Sequence, residues 1–290
     1  MRVASNKFSA ISAFYFSELK GHYDVGEIES LLALAAEHYL GFSRSDVLKK
    51  ADHNINQSEL IKLYDCCKAL KNGNPLQYIL GETWFYHLKF KVNPTVLIPR
   101  PETEELVDVI VSENKQATSF LDIGAGSGCI PVSLKSNFQN AQVFACDISA
   151  GALKVASDNA RLNGVSVNFF EADILNLNTF CDLFQKQVDV IVSNPPYIKT
   201  SEKKAMSANV LEHEPHQALF VDGGDPIIFY KQIIDLCGTR LQKKGHLYFE
   251  LNPLTAQSVL EYANNTHLFQ KVELMRDMSG KTRFLKAVKN

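Results

Sequence analysis

SFLDIGAGSGCIPVSLKSNF, residues Ser119–Phe138, sets a short apolar run against a glycine cluster and then a helical pattern. Glycines at a strand-to-helix turn supply backbone angles that other residues avoid and let a ligand approach the main chain. Here they are spaced G-x-G-x-G, through Gly124, Ala125, Gly126, Ser127 and Gly128, with Asp122 just ahead. That differs from the G-x-G-x-x-G of dinucleotide binders.

Outward from this stretch, strand-like runs alternate with helical ones. QVFACDIS, SVNFFEAD, DVIVSN, HLYFEL and FLKAV read as strands, and AGALKVASDNARLNG and PIIFYKQIIDLCGTRL as helices. Such alternation predicts βαβ units and a mostly parallel sheet covered on both faces, with the short apolar strands that double burial requires. The fold class expected is α/β and Rossmann-like.

Two further acids end successive strands. Asp147 falls about 20 residues beyond the loop, where a carboxylate takes both ribose hydroxyls, and Asp173 ends the strand after that. Three acids along one sheet edge suit a nucleoside without a pyrophosphate that carries a positive centre. S-adenosylmethionine fits this description, with Asp147 on its ribose and Asp173 and Ile174 on its adenine.

The run VDVIVSNPPYI ends in Asn194-Pro195-Pro196-Tyr197. Two prolines stiffen the loop and offer no N–H, so the Pro195 carbonyl and the Asn194 side-chain oxygen stand as two fixed acceptors. Together they match both hydrogens of a planar –NH₂ group, and Tyr197 can stack on that group and exclude water. Following the fourth strand, this loop is expected to sit beside the donor. The chemistry predicted is methylation of an amide or an exocyclic amine nitrogen.

Composition narrows the choice. Among 290 residues, 30 Lys+Arg balance 32 Asp+Glu, which argues against a chain devoted to non-specific nucleic-acid binding. No apolar run has the length of a membrane span, and MRVASNKFSAISAFYFSEL lacks the pattern of a secretory signal. Six cysteines show neither zinc nor disulfide spacing, and eight histidines show no ligand pattern. A cytoplasmic protein without a metal is expected.

The first part of the chain reads as helices. Ile28, Leu31, Leu32, Ala35 and Tyr39 share one face, Gly41 stops that helix, and Ser45, Asp46 and Ser58 are candidate caps for the next two. WFYHLKFKVNPTVLIP reads as a hairpin, and TEELVDVIVSEN as a helix capped by Thr103.

The loop LDIGAGSG, Asn194 to Ile198, LIPRPETEEL (Leu97–Leu106) and HEPHQAL (His213–Leu219) occur in one chain. In this it resembles the HemK/PrmC family, the protein-(glutamine N5) methyltransferases of peptide chain release factors. The resemblance implies a class I S-adenosylmethionine-dependent methyltransferase domain with a seven-stranded sheet over 101–290, a β-hairpin linker over 84–100, and a helical release-factor-binding domain over 1–83. It also implies a substrate, the glutamine of the Gly-Gly-Gln motif in class I release factors. Asn194, Pro195, Pro196 and Tyr197 would bind the glutamine. Asp122, the loop from Gly124 to Gly128, Asp147, Asp173, Ile174 and Asn194 would bind the donor. A monomer without nucleic acid or membrane partners is expected.

Two positions depart from the family pattern: His87 where Phe-Tyr-Gly is usual, and His213 where an aromatic precedes Glu-Pro. Arg100, Glu102 and Glu214 are placed either to shape the pocket mouth or to face solvent. A ribosomal-protein glutamine methyltransferase and a nucleic-acid amino-methyltransferase are the rival readings.

Overall fold

A computed structural model describes residues 5–199, 208–221 and 224–290. The chain divides into two compact units, Met1–Gly81 with Ser207–His213, and Glu82–Met206 with Glu214–Asn290. Among the described residues no helix is long and apolar enough to cross a membrane.

The first unit contains α1 (Phe8–Leu19), α2 (Val25–Leu40), α3 (Arg44–Lys49), α4 (Gln57–Lys71) and α5 (Leu76–Leu80). Their apolar stripes meet in a core that includes Ile11, Tyr15, Leu32, Leu63 and Cys67. Tyr15 is fully buried, and its hydroxyl donates to the Leu63 carbonyl at 2.9 Å. Gly41 ends α2 at φ 66°, as expected. The caps of the next two helices lie earlier than Ser45, Asp46 and Ser58. Ser43 caps α3 with Asp46 as its reciprocal partner, and Asn56 caps α4 with Glu59. A capping box sets the cap three residues ahead of its acid, and that spacing overrides the nearest serine.

The second unit opens with the hairpin of β1 (Glu82–Phe85) and β2 (Leu88–Lys91). Its turn residues Tyr86 and His87 both have positive φ, 47° and 64°. A tight hairpin of this twist demands that conformation, and glycine adopts it with less strain than histidine. The hairpin packs into its own unit through buried Phe85 and Phe90. Asn159 reinforces it, accepting from the Lys91 N–H at 2.7 Å and donating to the Lys91 carbonyl at 2.9 Å.

Next come α6 (Pro101–Glu113), β3 (Ser119–Ile123), α7 (Cys129–Asn137), β4 (Gln142–Asp147), α8 (Ala150–Leu162), β5 (Asn168–Glu171), α9 (Leu177–Leu183), β6 (Val188–Ser193) and β7 (Ile198–Lys199). After α10 (Ala208–His213), which groups with the first unit, follow α11 (His216–Leu219), β8 (Phe220–Val221), α12 (Ile228–Arg240), β9 (Leu241–Glu250), α13 (Ala256–Asn265), β10 (Phe269–Arg276) and β11 (Thr282–Lys289). Thr103 is not the cap of α6. Arg100 holds that position and Pro101 opens the helix, so Thr103 is an inward-facing residue of the first turn.

The seven-stranded sheet has the order β10-β11-β9-β6-β3-β4-β5. β4, β3, β6 and β9 run parallel with one another and β5 with β4, whereas β11 is antiparallel to both its neighbours. Six of these strands correspond to the apolar runs in the sequence. The seventh, β10, is an edge strand whose Lys271 and Glu273 mask its periodicity. Edge strands carry such charges because their outer rim faces water.

Asn159 also donates to the Ser127 carbonyl at 2.9 Å, joining the hairpin, α8 and the glycine loop. Asn159→Ala should lower stability by about 1–3 kcal/mol, because it leaves the buried Ser127 carbonyl and the two part-buried backbone groups of Lys91 without their partner. Urea unfolding checks this, and a loss below ~0.5 kcal/mol would show that water replaces the amide.

Candidate active site

Strand register builds the site. Phe249 of β9 pairs with Ser193 of β6, Ser193 with Ile123 of β3, and Ile123 with Cys146 of β4. One residue past this row stand Glu250, Asn194, Gly124 and Asp147. Two carboxylates, an amide and a glycine backbone, one from the end of each of four strands, thus meet along one edge, at the carboxyl ends where open α/β sheets bind ligands. Ser193 pins the arrangement by donating its hydroxyl to the Ile123 carbonyl at 2.5 Å.

The glycine loop folds back onto β4. Gly124 and Ala125 both donate their N–H to the Cys146 carbonyl at 2.9 Å. Gly126 donates to Asp147 Oδ2 at 2.8 Å, and Ser149 to Oδ1 at 2.9 Å. Burial raises the Asp147 pKa, and these N–H donors oppose the rise. Each carboxylate oxygen keeps lone pairs for a further donor, as a vicinal diol requires. Asp122 and Gly128, however, do not line the cleft. Asp122 is 1% exposed beneath the loop, and burial, followed by the nearby Asp147 charge, pushes its pKa well up. Gly128 faces α8, where an added Cβ would lie 2.9 Å from Ala156 Cβ.

A cleft of about 640 Å³ opens above the loop. Gly124, Ala125, Gly126, Ser127, Asp147, Asp173, Ile174, Asn194, Pro195 and Pro196 line it, so the sequence-derived donor and acceptor residues converge. Asp173 turns its Oδ1 toward the Leu175 N–H at 2.9 Å, while Ile174 is buried. Ile148 and Leu175 also line the cleft, yet remain 46% and 42% exposed. Apolar side chains left open on cleft walls suit the faces of a planar base. The acids, apolar walls and backbone cradle fit S-adenosylmethionine.

Tyr197 is not a lining residue. Its ring packs against the main core of the unit, and its hydroxyl donates to Glu250 Oε1 at 3.5 Å. Arg100, Glu102 and Glu214 also take definite places. Arg100 lines the cleft and pairs with Glu214, which is 4% exposed and holds the start of the Pro215–Ala218 rim. Glu102 faces Tyr197 and Glu250 electrostatically.

Sequence reasoning missed Thr103 as a lining residue and Glu250 as the buried carboxyl behind it. Thr103 lines the cleft and donates its hydroxyl to Glu250 Oε2 at 2.6 Å. Burial pushes the Glu250 carboxyl up to about 7, opposed by the Thr103 hydrogen bond and the Arg283 charge. The one sequence signal was an acid closing the apolar strand HLYFEL, an unusual end for a core strand.

Gly128→Ala combines a left-handed backbone, φ 79°, with overlap against Ala156. It should cost about 2–4 kcal/mol, read as a lowered Tm. A variant as stable as the wild type would mean that α8 yields at Ala156.

The methyltransferase small domain family matches residues 102–236, and the PrmC N-terminal domain family matches residues 14–81. The release factor glutamine methyltransferase of Flavobacterium psychrophilum is 42% identical, covering 94% of this chain and 95% of its own. That of Bacteroides thetaiotaomicron is 38% identical, covering 96% and 98%. A methyltransferase structure from Pyrococcus furiosus, 16% identical, superposes with a TM-score of 0.51 over 70% of this chain and 89% of that one, a likeness of fold alone. The methyl donor is S-adenosylmethionine. With both family domains in order and such identity along nearly its whole length, the chain belongs to the release factor glutamine methyltransferases.

Proposed function

We propose that the chain methylates the side-chain amide nitrogen of the glutamine in the Gly-Gly-Gln motif of class I peptide chain release factors. The observation that carries this reading is the shared row: Asn194 stands one residue past Ser193, beside Gly124 and Asp147, over one cleft. A donor held by the loop and an amide held by Asn194-Pro195-Pro196 would meet there.

The donor supplies an electrophilic methyl group on a sulfonium. Asp147 takes its ribose hydroxyls, the Gly124–Ser127 backbone cradles it, and Asp173 with Ile174 borders its adenine. Asp122 and Gly128 support the cradle from beneath. Asn194 Oδ1 and the Pro195 carbonyl accept the two amide hydrogens of the glutamine. That fixes the plane of the amide and draws density onto its nitrogen. An amide is a poor nucleophile, so positioning and fixed dipoles must supply most of the acceleration. Pro196 stiffens the loop, and Tyr197 anchors its end against the core and Glu250.

The helical unit grips the release factor. The chain acts as a monomer in the cytoplasm, where translation terminates and its cysteines stay reduced. Its near-neutral charge balance supports a protein substrate over a nucleic acid.

Label transfer from S-adenosylmethionine to purified release factor, beside its Gln→Ala variant and a tRNA/DNA mixture, tests the reading. Label on the wild-type factor alone is expected. Label on nucleic acid alone would replace the substrate by a base. Asn194→Ala should lower kcat by ~10²–10³-fold, the scale of deleting one preorganised polar group, with donor affinity changed less. Wild-type turnover in that variant would remove Asn194 from the mechanism.

A further inference from the structure

An asparagine can serve as an acceptor only if its amide oxygen, and not its NH₂, faces the substrate. Three contacts bear on that orientation. Asn194 Nδ2 donates to Thr103 Oγ1 at 3.4 Å. The Thr103 hydroxyl donates to Glu250 Oε2 at 2.6 Å. On the other side of the carboxylate, Tyr197 donates to Oε1 at 3.5 Å.

An ionised carboxylate only accepts, and a hydroxyl carries a single proton. Once that proton is committed to Glu250, Thr103 can offer Asn194 nothing but a lone pair. The amide of Asn194 must then turn its NH₂ toward Thr103, which leaves Oδ1 free to accept from a substrate. Thr103 is 3% exposed and Glu250 2%, so water does not scramble these roles. We propose that Glu250, acting through Thr103, is a positioning residue that fixes the orientation of the Asn194 amide and, through the Tyr197 hydroxyl, the far end of the same loop. This inference rests on the function proposed above, in which Asn194 accepts from the glutamine.

The direction of the relay depends on ionisation. A protonated Glu250 has a proton of its own to give. Thr103 can then turn its hydroxyl toward Asn194, and the amide orientation is no longer dictated. Five ionisable groups face this carboxyl. Arg283 of β11 favours its charged form and Glu102 of α6 opposes it, while Tyr197, Tyr230 of α12 and Cys129 of α7 complete its surroundings. Tyr230 donates to the Glu250 backbone carbonyl at 3.0 Å and so holds the residue in place. With its pKa pushed up to about 7, Glu250 is ionised above neutrality and loses its charge as pH falls below it. Turnover should fall in the same direction.

The test uses the full chain, purified release factor and labelled S-adenosylmethionine, with kcat, the KM for the factor, the donor Kd and the Tm measured on both sides of neutrality. Thr103→Val should lower kcat ~10–100-fold with the donor Kd within about threefold, as for loss of a partner that orients a functional group. Thr103→Ser keeps the hydroxyl and should recover to within about threefold of wild type. Glu250→Gln can still accept from Thr103 but cannot ionise, so its kcat should lack the acid limb of the wild type. Full turnover by Thr103→Val overturns the proposal, as does a serine variant as slow as the valine. An acid limb that persists in Glu250→Gln overturns the role given to its ionisation. If the valine variant fails to fold, the pH profile of Glu250→Gln decides alone. A wild type inactive on the factor removes the underlying function instead.

Discussion

Parallel strands in register end together, and that constraint governs this unit. Hydrogen bonding aligns Phe249, Ser193, Ile123 and Cys146 in a row, so the chain leaves four strands at one height. Whatever residue comes next must lie beside its counterparts from the neighbouring strands. Glycine, aspartate, asparagine and glutamate occupy those positions. A one-residue slip of any strand would turn its side chains to the opposite face and remove its contribution to the edge.

Burial of charge follows from the same geometry. Asp122 precedes the row by one residue and lies inside the sheet, while Asp147 and Glu250 follow it by one and reach its rim. Their carboxyls all feel the apolar interior, which raises their pKa values by disfavouring the charged form. Their partners differ, however. Asp147 accepts two backbone N–H groups and Glu250 accepts two hydroxyls, whereas neither Asp122 oxygen has a hydrogen-bond partner among the described residues.

Much of this was legible in the sequence, because glycine and proline report backbone demands directly. G-x-G-x-G and Asn-Pro-Pro-Tyr located two loops of the cleft, and the acids after successive strands located a third. What stayed hidden depends on contacts between residues distant in the chain. Thr103 looks like a helix cap until Pro101 is seen to open the helix and Arg100 to precede it. Glu250 lies 147 residues from the threonine it engages. Gly128 and Asp122 carry the right residue types, yet strand depth and helix contact turn them away from the cleft. The hairpin was visible as alternation, but not its attachment through Asn159. The edge strand β10 was masked by its own charges.

The place of β11 has a consequence for synthesis. It lies between β9 and β10, so residues 282–289 complete an interior position of the sheet although they come last of all the strands. A nascent chain containing everything through β9 would present that strand's free N–H and C=O groups along an unpaired edge. Such an edge invites pairing with another chain. The unit bearing the cleft remains adhesive until β11 arrives. Vectorial synthesis thus leaves a window in which this protein is a candidate client of chaperones that shield open sheet edges.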